Sequence, residues 1–202
     1  MFLVTYASDP SRISFREPVL NLWGGEPYIG LMQKIHAVQR FVYEVAPESL
    51  VCFVDGYDVQ LEVSVPVIET RYRSLGVSGV LMNAEANCFP YPDREADYPE
   101  GDTPFRFVNS GCYIGTAGEI RKLFDAMRVD RIPAEVNDQA IFTEYYLANP
   151  NAFTLDTECR LFQCLFRAGE WVKRENGIYI NTLTGTRPLV LHANGGADLP
   201  KE

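Results

Sequence analysis

The chain carries only two histidines in 202 residues, no Cys-x-x-Cys pair, no basic stretch and no long apolar run. A membrane-crossing helix needs roughly 20 consecutive apolar residues, so no membrane span is expected. Nucleic-acid binders display a basic patch or stripe; with a net charge of −9, no nucleic-acid partner is expected either. A small phosphorylated ligand stays open, because a metal ion or one or two placed cations suffice to hold it. Five cysteines are an odd number, and Cys52 and Cys112 lie in apolar runs, so they read as buried free thiols rather than bridges. Together with the lack of a basic, apolar leader at the N-terminus, they predict a cytoplasmic location.

What is present is an alternation of strands and helices, compatible with one α/β domain over residues 1–202. Residues 2–6 read as a strand and 8–29 as a Pro- and Gly-rich loop. Leu31, Ile35, Val38, Val42 and Val45 recur at helical spacing, and LVCFV (50–54) is a strand buried on both faces. Pro66 and Gly76 punctuate a second helix. A short strand is expected over 79–83, a long loop over 86–106, a strand over 112–115, a helix over 119–127 and another capped by Asn137 or Asp138. Asn176-Gly177 marks a hairpin within 171–182, and PLVLH (188–192) closes the series. The sheet is therefore mixed.

The chemistry gathers at strand ends, where open α/β sheets collect ligands. In FVDGYDVQL (53–61), Asp55 and Asp58 follow an apolar strand, and Gly56 permits a tight turn between them. Two readings stand: a capped turn, or paired carboxylates whose repulsion a divalent cation relieves. Carboxylates with phosphate oxygens suit Mg²⁺ or Mn²⁺. His192 ends its strand before Ala193-Asn194-Gly195-Gly196; it is a hydrogen-bonded strand end or a third ligand, and imidazole favours Mn²⁺. His36, inside the first helix, reads as packing or surface. Lys34, near the start of that helix, is a solvated lysine or a partner for a diphosphate. Asn109-Ser110-Gly111 is a turn or a place where backbone approaches a ligand closely. Asn137-Asp138-Gln139 carries a helix-cap signal.

Taken in order, LVTYAS (3–8), QK (33–34), FVDGYD (53–58), NAE (83–85), FVNSGCYIG (107–115), NDQAIF (137–142), LDTECRLFQ (155–163) and VLHANG (190–195) resemble the glycosyltransferase domain of the procollagen lysyl hydroxylase family. The resemblance covers nearly the whole chain. It implies a GT-A-type, Rossmann-like mixed sheet flanked by helices, a UDP-sugar donor (UDP-glucose or UDP-galactose) and Mn²⁺. Asp55, Asp58 and His192 match the metal ligands. Tyr57 matches the tyrosine that stacks on uracil, and Thr5 the first-strand residue that touches uridine. Lys34, Asn109, Asn194 and Gly195 match the donor site, and Asp138 an acid near the transferring sugar. Only one acid of the family's acidic run survives in Val136-Asn137-Asp138, and residues 86–106 diverge.

The function implied is transfer of a hexose, glucose or galactose, to a hydroxyl. The acceptor is hydroxylysine or galactosyl-hydroxylysine of a collagen-like protein, or another glycan. The alternatives are a catalytically weak nucleotide-sugar-binding module and a nucleotidyltransferase. The second lacks the glycine-rich basic loop that such enzymes use, and the chain has no second histidine suited to a hydroxylase iron site.

Overall fold

The computed structural model describes residues 1–13 and 17–200. Strands β1 (Phe2–Thr5), β2 (Leu20–Asn21) and β3 (Leu50–Val54) run parallel, with helix α1 (Met32–Glu44) between the last two. Strand β4 (Val59–Leu61), helix α2 (Val65–Leu75), strands β5 (Leu81–Glu85) and β6 (Phe107–Thr116), and helices α3 (Ala117–Met127) and α4 (Asp138–Ala148) follow. The chain ends with β7 (Thr154–Leu155), β8 (Phe162–Cys164), the hairpin β9 (Val172–Glu175) and β10 (Ile178–Asn181), and β11 (Val190–His192). The large sheet has the order β2-β1-β3-β6-β5-β7, with β6 antiparallel to both neighbours. A smaller sheet has the order β4-β11-β8. The expected α/β class, a mixed sheet flanked by helices, is what the chain adopts.

Burial on both faces of β3 holds as expected. Val51 and Phe53 join one apolar cluster with Ile35, Val38 and Val42 of α1, Ile120 and Phe124 of α3, and Phe142 of α4. Leu50, Cys52 and Val54 join a second with Ile68 and Tyr72 of α2 and with Phe162 and Val190 of the small sheet. Period-two alternation thus feeds two cores from one strand. The five cysteines are all free and buried, matching the thiol reading.

Helix ends fall where their chemistry puts them. Gly76 closes α2 in the left-handed region at φ 62°. Thr116 and Glu119 form a reciprocal capping box at the start of α3. Asn137 Oδ1 accepts from the Ala140 amide at the start of α4.

Three boundaries differ from expectation. The strand placed at 112–115 runs from Phe107 to Thr116, and all but its last residue are buried. Asn109, Ser110 and Gly111 have turn-like composition and lie inside the strand where the β5 register jumps from Met82–Tyr113 to Ala84–Val108, just beyond the end of the β3 ladder at Cys112. The strand expected over 79–83 lies at Leu81–Glu85, so Glu85 ends it. The segment read as loop at 8–29 contains β2; its residues 14–16 lie outside the described residues. Strands β4, β7 and β8 are each two or three residues long, too short to leave a periodic signal.

Asp156, which is 5% exposed, organises the turn into β8. Its carboxylate accepts from the amides of Arg160, Leu161 and Phe162 at 2.8–2.9 Å. Asp156→Ala strands these amides, so urea unfolding is expected to show a loss of about 3 kcal/mol. Asp156→Asn, which keeps one acceptor oxygen, should lose less.

Candidate active site and cation cradle

The Asp55–Asp58 turn carries the chain from the large sheet to the small one. At its start the Asp55 amide donates to Gly111 O of β6 at 2.8 Å. At its end Asp58 O accepts from the Ala193 amide at 2.7 Å, just beyond β11. Register places His192 opposite Val59 across β4–β11. Two residues of one turn and one from a distant strand are therefore fixed by backbone hydrogen bonds. Their ligand-type atoms all lie within 4.8 Å of one another. His192 Nε2 stands 3.3 Å from Asp58 Oδ2 and 3.6 Å from Asp55 Oδ2.

The donor set fits a divalent cation on two structural counts. Two carboxylates and an imidazole converge, and Lys34 takes Asp55 Oδ1, leaving Asp55 Oδ2 and Asp58 Oδ2 turned to His192. Gly111 lines the cradle as well: a Cβ there would lie 2.2 Å from His192 Cε1 and 2.7 Å from Asp55 Oδ2. Only a glycine lets β6 pass so close to both ligands. Burial pushes the Asp55 carboxyl up against the pull of Lys34 and His192. Asp58 is also raised by burial, but its contact with His192 and the Lys34 charge outweigh that, so its carboxyl lies below the usual range.

Lys34 is not solvated. From the first turn of α1, its ammonium lies 2.7 Å from Asp55 Oδ1 and 3.1 Å from Asp138 Oδ2, and its side chain is 11% exposed. Burial opposes its charge, but Asp138 and Asp55 prevail and hold it protonated. Asp138, 2% exposed, sits in the first turn of α4. Its Oδ2 contacts Lys34 without the alignment of a hydrogen bond.

Two cavities meet here, sharing Leu31, Lys34, Asp55 and Asp58. One, of about 620 Å³, is walled by Tyr6, Tyr28 and Tyr57. Tyr57 is 37% exposed; its hydroxyl takes the Asp9 amide at 2.8 Å, and the Arg12 guanidinium covers its ring at 4.3 Å. The other, of about 570 Å³, is lined by Asn109, Asp138, His192, Asn194 and Gly195, with Phe89 and Arg167 at its rim. Every expected site residue except Thr5 lines one cavity or both. Thr5 is fully buried and its hydroxyl donates to Val54 O at 2.7 Å, which ties β1 to the strand leading into the Asp55–Asp58 turn. Asn194 lines the wall, but its Oδ1 is taken up by the amides of Leu165 and Phe166. Gly195, at φ 63°, lies where a Cβ would come within 2.8 Å of the Phe166 ring.

Sequence reasoning did not single out Glu85, Gln139 or Arg12 as site residues. Glu85 is 2% exposed. It accepts from Gln139 Nε2 at 2.6 Å, Asn194 Nδ2 at 3.0 Å and Asn109 Nδ2 at 3.1 Å. Burial pushes its carboxyl up against those donors. The available signal was an acid closing an apolar strand in LMNAE, hidden because the strand was placed two residues early. His36, as expected, is a packing residue: its Nε2 lies 3.1 Å from Val129 O.

Lys34→Met leaves the Asp55 and Asp138 carboxylates without their cation. It is expected to cost about 3 kcal/mol in urea unfolding, in line with breaking a buried pair from one side. Gly111→Ala should keep the fold while lowering Mn²⁺ affinity at least ~10-fold, as read by electron paramagnetic resonance of the free ion.

A family model described as the PLOD GT domain matches residues 21–200. Procollagen-lysine,2-oxoglutarate 5-dioxygenase of Drosophila melanogaster is 32% identical over 164 residues, covering 76% of this chain and 22% of that protein. The human multifunctional procollagen lysine hydroxylase and glycosyltransferase LH3 is 31% identical over 182 residues, covering 85% of this chain and 24% of its own length. Uncharacterized protein R699 of Acanthamoeba polyphaga mimivirus is 28% identical over 181 residues, with 87% and 38% covered. The chain thus spans between 22% and 38% of the length of these relatives. The match extends over β3, β6, α4 and β11, the elements that build the cradle, and the chain belongs to the PLOD GT domain family of glycosyltransferase modules.

Proposed function

We propose that this chain transfers a hexose, glucose or galactose, from a UDP-sugar to a hydroxyl acceptor with Mn²⁺ as cofactor. The observation that carries the reading is the convergence of Asp55, Asp58 and His192 where the two cavities join. The cavity walled by three tyrosines suits a nucleoside, with Tyr57 as the base platform. The polar cavity beyond the carboxylates suits the sugar and its acceptor. Mn²⁺ held by Asp55, Asp58 and His192 supplies a Lewis acid that offsets charge on the departing diphosphate.

The chain's own residues do the rest. Lys34, kept charged by its two acids, shares the diphosphate charge from the floor of the junction. Asp138 lines the polar cavity beside Lys34, which pairs with its Oδ2, and from there its carboxylate orients the acceptor hydroxyl or takes its proton. Asn109, Asn194 and Gln139 form a fixed polar wall against the sugar. The names of the relatives favour an acceptor of the hydroxylysine or galactosyl-hydroxylysine type, or a related glycan. The five buried free thiols favour a reducing compartment such as the cytoplasm. No described helix is long and apolar enough to cross a membrane.

A thermal-shift panel of nucleotide sugars with Mn²⁺ tests the donor. A ligand at a hundred times its Kd adds about 2.7 kcal/mol, a rise of roughly 5–10 °C for a chain of this size. UDP-glucose or UDP-galactose should give it, and Asp55→Ala should abolish both the shift and hydrolysis of the sugar nucleotide. Silence toward every UDP compound overturns the reading.

A further inference from the structure

The hydrogen bonds behind His192 have directions, and those directions set where its ring proton sits. Asn109 Oδ1 accepts from the backbone amide of Gly111 at 3.0 Å. A backbone N–H is always a donor, so the atom facing it is the amide oxygen. The other end of the same side chain, Nδ2, points at Glu85 Oε1 at 3.1 Å, which needs a donor and finds one. Two independent partners therefore fix the Asn109 amide, which cannot flip without opposing like groups at both ends.

That same Oδ1 lies 3.0 Å from His192 Nδ1. Two acceptors at this distance repel, so Nδ1 carries a hydrogen. The Cys164 thiol lies 3.9 Å from Nδ1, a far weaker partner than the amide oxygen. A ring whose one proton sits on Nδ1 keeps its lone pair on Nε2, the atom 3.3 Å from Asp58 Oδ2 and 3.6 Å from Asp55 Oδ2. The two carboxylates oppose that lone pair, the Asn109 oxygen supports it, and a cation between them would accept it. Glu85 completes the device from behind. Asn194 Oδ1 is held by the amides of Leu165 and Phe166, so its Nδ2 must face Glu85 Oε2. Both Glu85 oxygens are thereby committed as acceptors, and Glu85 Oε1 holds Asn109 in place.

We propose that Asn109 is a positioning residue that locks His192 in the Nδ1–H tautomer, aiming the Nε2 lone pair at the cation site, with Glu85 as its anchor. This deepens the metal-dependent reading above and rests on it for its purpose. Asn109, part of the polar cavity wall, then also acts on the cation site through His192. Outer partners of this kind typically change metal affinity about 10–100-fold. A useful internal standard exists: the chain's other histidine, His36, turns Nε2 to the Val129 carbonyl, which requires the opposite tautomer.

The test is the two-bond ¹H–¹⁵N spectrum of the histidine rings in metal-free protein, at a pH where both are neutral, with His36→Gln to assign them. In the native sequence His192 should carry its proton on Nδ1 and His36 on Nε2. Asn109→Leu should shift His192 toward Nε2–H and raise the Mn²⁺ dissociation constant about 10–100-fold. Asn109→Asp, which keeps an acceptor facing Nδ1, should retain the Nδ1–H tautomer. An Nε2–H ring in the native protein overturns the proposal, and this arm needs no variant to fold. So does an Asn109→Leu protein with native spectrum and native affinity. If the native protein takes up no Mn²⁺, the metal reading fails by itself, while the ring spectrum still decides the tautomer.

Discussion

Everything at the site depends on one crossing of the backbone. The Asp55–Asp58 turn leaves β3 in the large sheet and enters β4 in the small one, pinned by Gly111 O at one end and the Ala193 amide at the other. Neither sheet alone holds Asp55, Asp58 and His192 together. Asp55 belongs to the end of the large sheet, whereas Asp58 and His192 are set by the β4–β11 ladder. The bonds that join the sheets are therefore the bonds that build the cradle. Gly56 takes part from below: a Cβ there would come within 2.8 Å of Ala7 Cβ, so the turn lies directly against the end of β1.

Charge is the second constraint. Asp55, Asp58, Glu85 and Asp138 crowd one cavity wall, and among the described residues Lys34 is the one ammonium lining it. Such a cluster is costly to bury unless each acid has donors or a cation. The structure divides the task. Lys34 serves Asp55 and Asp138, and side-chain amides serve Glu85. That leaves Asp58 and the outer oxygen of Asp55 facing His192, the part of the cluster where a cation brings most relief. A nearby cationic side chain in place of the imidazole would satisfy the acids permanently and leave no open cradle. A histidine satisfies them only when protonated or when it shares a cation.

How much of this was legible in the sequence depended on the range of the signal. The strand LVCFV, the helix from Met32 and the Asn176-Gly177 hairpin were readable because each is a local pattern. The convergence of Asp55, Asp58 and His192 involves residues that the ordered motifs had already picked out. Glu85 was not, because its meaning comes from three amides contributed by β6, α4 and the loop after β11. Asn109-Ser110-Gly111 looked like a turn for the same reason. Small polar residues break isolated strands, and here they sit at the irregularity in the β5–β6 ladder, held by the Asp55 amide on Gly111 O, while the absent side chain of Gly111 is what admits His192. Lys34 has the opposite history: alone it reads as a solvated lysine, and only the convergence of α1, α4 and β3 buries it between two acids.

The two walls of the polar cavity differ in what they tolerate. Glu85, Asn109, Gln139 and Asn194 are all under 9% exposed, and the orientations of Asn109 and Asn194 are dictated by backbone amides. A change at any of them propagates to the cation cradle, because each shares a hydrogen bond with Glu85 or His192. The rim obeys no such rule. Phe89 is 47% exposed, and Arg167 is exposed and holds a left-handed backbone at φ 59°. The rim residues can change without moving a ligand. Differences in what the cavity admits are therefore free to arise at Phe89 and Arg167, while the polar wall and the Asp55–Asp58 turn are bound to one arrangement by the same backbone that folds the two sheets together.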